Sequence, residues 1–167
     1  INGNSSLSEG TLITLNQVQQ DDEGQARLLA DSLYSTLVDQ EGRFGFSSLS
    51  PGIYSIESYQ ASSGKRNLNT KVEVVSDSVT AVESIMHTPG SIKLVNIPLE
   101  FQNSSYSVYI SDLRLQKSLK ENTSILTLSD IPAGVSIEVR YQKSLIDQGL
   151  ITTITLSEDL DATINWP

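Results

Sequence analysis

The chain has 167 residues, 38% of them hydrophobic and 19% charged, which suffices for a packed core in one ordinary domain or two small ones and is too apolar for a disordered chain. A net charge of -9, with eleven basic residues scattered rather than clustered, excludes the Lys and Arg patches that a nucleic-acid or anionic-membrane partner requires. The lack of cysteine excludes a disulfide framework and a thiolate metal site, and no apolar run approaches the roughly 18 residues that span a bilayer.

In chain order, Ile1-Asn2-Gly3 comes first, followed by predicted strands around 12–18, 29–39, 44–47, 53–59, 67–75 and 79–86. Residues 23–33 are the only stretch with helical periodicity, and Leu28, Leu29 and Leu33 fit a strand as well. Asp39 to Gly42 is a turn signal, Phe44 and Phe46 alternate as a half-buried strand, and Pro51-Gly52 makes a second turn before Tyr54 and Ile56. A Pro-Gly pair at Thr88-Pro89-Gly90 then marks a boundary. Beyond it, strands are predicted around 92–97, 106–113, 125–129, 135–142, 150–156 and 162–166. There Val135, Ile137, Val139 and Tyr141 alternate with Ser136, Glu138 and Arg140, so one face is apolar and the other polar. The spacing Phe44-x-Phe46-x-x-Leu49 recurs about 80 residues later as Leu126-x-Leu128-x-x-Ile131, again followed by a Pro/Gly turn and an alternating strand.

The run Asp39-x-x-Gly42-x-Phe44-x-Phe46, followed by Leu49-x-Pro51-Gly52-x-Tyr54-x-Ile56, resembles the core motif of the carboxypeptidase regulatory-like domains. That resemblance implies an all-β fold of two tandem small antiparallel β-sandwiches, transthyretin (prealbumin)-like and Ig-like. The first would span 1–89. A second, divergent copy would span 90–167, with Glu121 and Ser124 where the first has Asp39 and Gly42. It also makes Ile1 the tail of a first strand whose beginning precedes this sequence, so that the chain is a fragment with an exposed sheet edge near its N-terminus.

Little catalytic chemistry is supplied. An EF-hand loop starting at Asp39 would need ligands at its fifth and twelfth positions, which are Arg43 and Ser50, so the acidic stretch reads as a turn. Asp21-Asp22-Glu23 is a loop charge run that could hold at most a weak surface cation. The single histidine, His87, lies beside the boundary, no Gly-x-Ser-x-Gly surrounds any serine, and one histidine cannot build the usual zinc sites. Lys93, Glu138 and Asn165 stand in the order of a Lys-Asn isopeptide crosslink with its carboxylic acid, but Lys93 and Glu138 alternate against apolar neighbours and should face solvent.

Aromatic residues leave room for sugar stacking: Tyr109, which alternates against Val108 and Ile110, and Trp166 are the possible ligand-binding residues, with Tyr59 and Tyr106 as further candidates. The bland alternative is that each ring fills a sheet face with its polar tip at the surface. Sequons at Asn4, Asn103 and Asn122 matter only in a glycosylating pathway. The expectation is a non-catalytic accessory or spacer module of a secreted or cell-surface, bacterial multidomain protein, with no cofactor or metal. Its partners would be adjacent domains of a longer polypeptide, and no nucleic acid or membrane insertion is expected. The alternative is an adhesive module that binds a polysaccharide or a protein.

Overall fold

A computed structural model describes residues 2–4, 7–20, 26–144, 147–158 and 160–167, with backbone alone at 2–4, 19–20, 26–33 and 111. The chain divides into two compact units, 1–88 and 89–167. Unit 1 contains β1 (Asn2–Asn4), β2 (Leu12–Gln20), β3 (Ala26–Leu37), β4 (Arg43–Gly45), β5 (Gly52–Tyr59), β6 (Arg66–Val74) and β7 (Ala81–Val82). Unit 2 contains β8 (Gly90–Val95), β9 (Ser107–Ile110), β10 (Leu115–Ser118), β11 (Ile125–Ile131), β12 (Ser136–Gln142), β13 (Gln148–Thr155) and β14 (Asp161–Asn165), with 3-10 turns at Leu99–Phe101 and Ser111–Leu113. The fold is all-β, and its four-stranded sheets are wholly antiparallel.

In unit 1 a three-stranded sheet, β4-β1-β7, accompanies a four-stranded sheet, β3-β2-β5-β6. In unit 2 the orders are β11-β8-β14 and β10-β9-β12-β13, the same when each unit is counted from its own first strand. The middle strand of each small sheet pairs antiparallel to one neighbour and parallel to the other, β1 with β7 and β8 with β14.

Alternation places the cores. In unit 1, Ile13 and Leu15 of β2, Phe44 of β4, Tyr54 and Ile56 of β5 and Val72 of β6 bury together, with Val82 of β7 packed against them, so both sheets contribute to one core. In unit 2 the corresponding buried side chains are Ile92 and Leu94, Val108 and Ile110, Leu128 and Ile131, and Ile137 and Val139. Each such side chain contributes about 1.5–3 kcal/mol on burial.

Two elements differ from the sequence expectations. The stretch 79–86 contracts to Ala81–Val82 because Val79 and Ile85 are exposed, while Val82 and Met86 pack on the core and Ser84 is buried. Strand β10 falls where no strand is expected from the sequence: Leu115-Gln116-Lys117-Ser118 is a polar edge strand, and such edges show no alternation because neither face is fully covered. Residues 26–37 form a strand, in line with the strand expected around 29–39 and not with the helix that the periodicity of 23–33 also allowed. Ile1 and the charge run at 21–23 lie outside the described residues.

Candidate functional site

Aromatic residues of unit 2 fall into two places. Tyr109 lies half-buried on the outward face of the four-stranded sheet, between buried Val108 and Ile110. It pairs across the sheet with Arg140 on β12 and Gln116 on β10, and its hydroxyl donates to Gln148 Oε1 at 2.8 Å. Arg140 lies along the same face, its side chain only 11% exposed, with Nε donating to Glu138 Oε2 at 3.0 Å. Gln116 Nε2 donates to Ser107 Oγ at 2.8 Å. One ring therefore sits in a rim of amide, carboxylate and guanidinium groups.

Trp166 is on the other side of that sheet. Only 8% exposed, it meets Phe101 at a ring-centroid distance of 5.0 Å and Tyr141 at 5.7 Å. Phe101 in turn meets Tyr106 at 4.9 Å and Tyr141 at 5.0 Å. The rings are tilted or edge-to-face, the arrangement that aromatic quadrupoles favour in a packed interior. Lys143 Nζ stands 5.3 Å from the Tyr106 centroid. Gly149 is needed beside this cluster, since a Cβ there would come within 2.6 Å of the Tyr141 ring.

The fold thus brings Trp166 and Tyr106 together and leaves Tyr109 apart from both. Tyr59, in unit 1, has the Arg66 guanidinium 4.4 Å from its centroid, and Arg66 pairs with Glu57. Phe101 and Tyr141 complete the cluster without having been singled out. Phe101 lies in a 3-10 turn with no periodic signal, and Tyr141 read only as one apolar position of β12.

The acidic turn is self-satisfied. Asp39 Oδ1 accepts from the Glu41 N–H at 3.0 Å and the Arg43 N–H at 2.8 Å, while Arg43 reaches Asp39 Oδ2 and Glu41 Oε2 at 3.3 and 3.0 Å. The Arg43 backbone N–H, helped by its guanidinium, holds the Asp39 carboxyl below its ordinary value. The sign follows: the turn's contribution is present above the ordinary carboxylate range and is lost as pH falls through the lowered Asp39 value. In an NMR pH series the Arg43 amide should titrate with Asp39 below that range, whereas a midpoint at the ordinary value would mean the carboxylate is free. Among the described residues no group of three His, Asp or Glu is placed to hold a metal.

Lys93 and Glu138 are exposed, on different sheets, and Glu138 pairs with Arg140. Asn165, also exposed, accepts from Asn96 Nδ2 at 2.8 Å. The three are not gathered around a buried crosslink. His87 bridges to Arg66 through the backbone, in both directions. An open depression of about 560 Å³ in unit 1 lies between residues 46–51 and 74–79, with Ser47, Ser48, Ser76 and Ser78 hydroxyls beside Phe46 and Val79, and no histidine lines it. Among the described residues no helix is long and apolar enough to cross a membrane.

No family model matches the chain, and no curated protein matches it. Among solved structures it is similar to the crystal structure of GBS52, the minor pilin of the Gram-positive pathogen Streptococcus agalactiae, at 15% identity and a TM-score of 0.34 over 95% of this chain and 82% of that chain.

Proposed function

We propose that the chain is a non-catalytic accessory or spacer module of a secreted or surface-attached bacterial protein, built from two tandem sandwiches of one design, 1–89 and 90–167, that resemble carboxypeptidase regulatory-like domains. The observation that carries this reading is strand polarity. In each unit the first strand runs parallel to the last, β1 with β7 and β8 with β14. A chain that enters at one end of such a pair leaves at the opposite end, which suits domains strung in series between other domains of a longer polypeptide. The shared strand order of the two units supports a duplication.

A second reading, a polysaccharide- or protein-binding module, is favoured by Tyr109 alone, because its ring is held outward among hydrogen-bonding side chains. One assay separates the two. Passed over soluble and insoluble polysaccharides, the purified chain should not be retained. Retention that vanishes in a folded Tyr109→Ala variant would overturn the spacer reading and assign the binding to the outward face of β9 and β12.

A further inference from the structure

We propose that unit 2 is a tension-bearing clamp in which the ladder between β8 and β14 carries load applied along the polypeptide. Its use in the parent protein rests on the spacer reading above.

Strand β14 is the outermost strand of its sheet, and among the described residues β8 is its one strand partner. The two run parallel over five consecutive register pairs, from Asp161 opposite Ser91 to Asn165 opposite Val95. Tension between the two ends of the unit draws β8 toward its own N-terminus and β14 toward its own C-terminus. Because the strands are parallel, these pulls are opposed along one axis, and the ladder is sheared. Its evenly spaced hydrogen bonds then bear load together, and none opens without the others. An antiparallel pair loaded the same way would have both loaded ends at one edge and would open pair by pair.

At both ends the backbone ladder runs on by one residue and is reinforced by a side-chain hydrogen bond. At one end Ser91 Oγ donates to Asp161 Oδ1 at 2.6 Å, and the Ser91 N–H donates to the Leu160 carbonyl at 3.1 Å. Gly90 makes that approach possible, since a Cβ there would lie 2.2 Å from the Leu160 carbonyl oxygen, which is backbone and cannot move aside. At the other end Asn96 Nδ2 donates to Asn165 Oδ1 at 2.8 Å, and the Trp166 N–H donates to the Val95 carbonyl at 3.0 Å. Sliding of β14 toward its C-terminus would drag the Trp166 indole away from Phe101 and Tyr141. Sliding of β8 the other way would pull Ile92 and Leu94, both fully buried, out of the core. The clamp therefore has a hydrogen-bonded ladder in the middle and an anchor on each strand.

The absence of native cysteine lets an introduced pair serve as force handles. In the full chain, Thr88→Cys with Pro167→Cys loads the ladder in shear. Thr88→Cys with Ser157→Cys loads both strands from the same end and unzips it. In single-molecule pulling at one loading rate, the unfolding force should be several-fold higher for the first pair. Asn165→Ala, which removes the side-chain hydrogen bond at the far end, should lower the shear force and spare the unzipping force. Matching urea midpoints for the two handle variants confirm that the fold is intact, since forced unfolding reports a barrier and not equilibrium stability. Equal forces in the two geometries overturn the clamp and leave the spacer reading standing. Retention on a polysaccharide would overturn the spacer reading and leave the force anisotropy untouched.

Discussion

Replacing Tyr54 by alanine is expected to leave unit 1 close to its unfolding threshold. Tyr54 is 1% exposed, lies in the middle of β5 opposite Gln17 of β2 and Val72 of β6, and packs with Ile13, Leu15, Phe44 and Ile56. Removing a buried ring of this kind costs about 3–5 kcal/mol, because the surrounding strands cannot close over the space. The hydroxyl also donates to the Ser50 carbonyl at 2.8 Å, tying β5 back to the turn before it. A domain of this size has about 5–15 kcal/mol in total, so the loss is a large fraction of it. Urea unfolding of Tyr54→Ala against the parent chain measures the effect. Tyr54→Phe keeps the ring, loses only the Ser50 contact and should cost about 1 kcal/mol. A loss from Tyr54→Ala no larger than that from Tyr54→Phe would show the ring to be dispensable. Burial, followed by the neighbouring Tyr34, holds the Tyr54 phenol above its ordinary value. The stability that goes with the neutral phenol is therefore complete below the ordinary tyrosine range and is lost as pH rises through the elevated value.

Replacing Trp166 by alanine should affect unit 2 comparably, by about 3–5 kcal/mol. The indole is buried against Phe101 and Tyr141, and each aromatic pair adds about 0.5–1.5 kcal/mol beyond the area it covers. Trp166 is the only tryptophan, so its emission in the parent chain reports this cluster without interference. The parent should emit as a buried indole and shift to the red in urea, and Trp166→Phe should recover most of the stability that Trp166→Ala loses. An emission maximum already at the solvent-exposed position in the native chain would mean that the cluster does not form.

These two residues show how unevenly the chain could be read. Tyr54 belongs to an alternating strand bounded by Pro51-Gly52, and alternation is legible when one face is buried along its whole length. Ile13 with Leu15, and Ile137 with Val139, were legible for the same reason, and all are buried. Tyr109 and Trp166 looked alike as aromatic residues of strand-forming stretches, yet one faces outward among polar groups and the other is enclosed. What encloses Trp166 is Phe101, in a 3-10 turn, and Tyr141 on β12, both distant in sequence. Local pattern carries no information about such contacts. The stretch 79–86 misled for a related reason: Val79 and Ile85 are apolar but exposed, because only a short part of it pairs with β1.

Composition and alternation were therefore enough to establish an all-β chain with apolar strand faces, since half-burial of a pleated strand writes a period of two into the residues themselves. The direction and partner of each strand needed the folded chain. That β8 runs parallel to β14 depends on where the chain returns, and Ser91 meets Asp161 across 70 residues of sequence. Parallel and antiparallel neighbours present the same alternating faces, so the polarity on which both the spacer and the clamp depend arises only when the last strand docks beside the first.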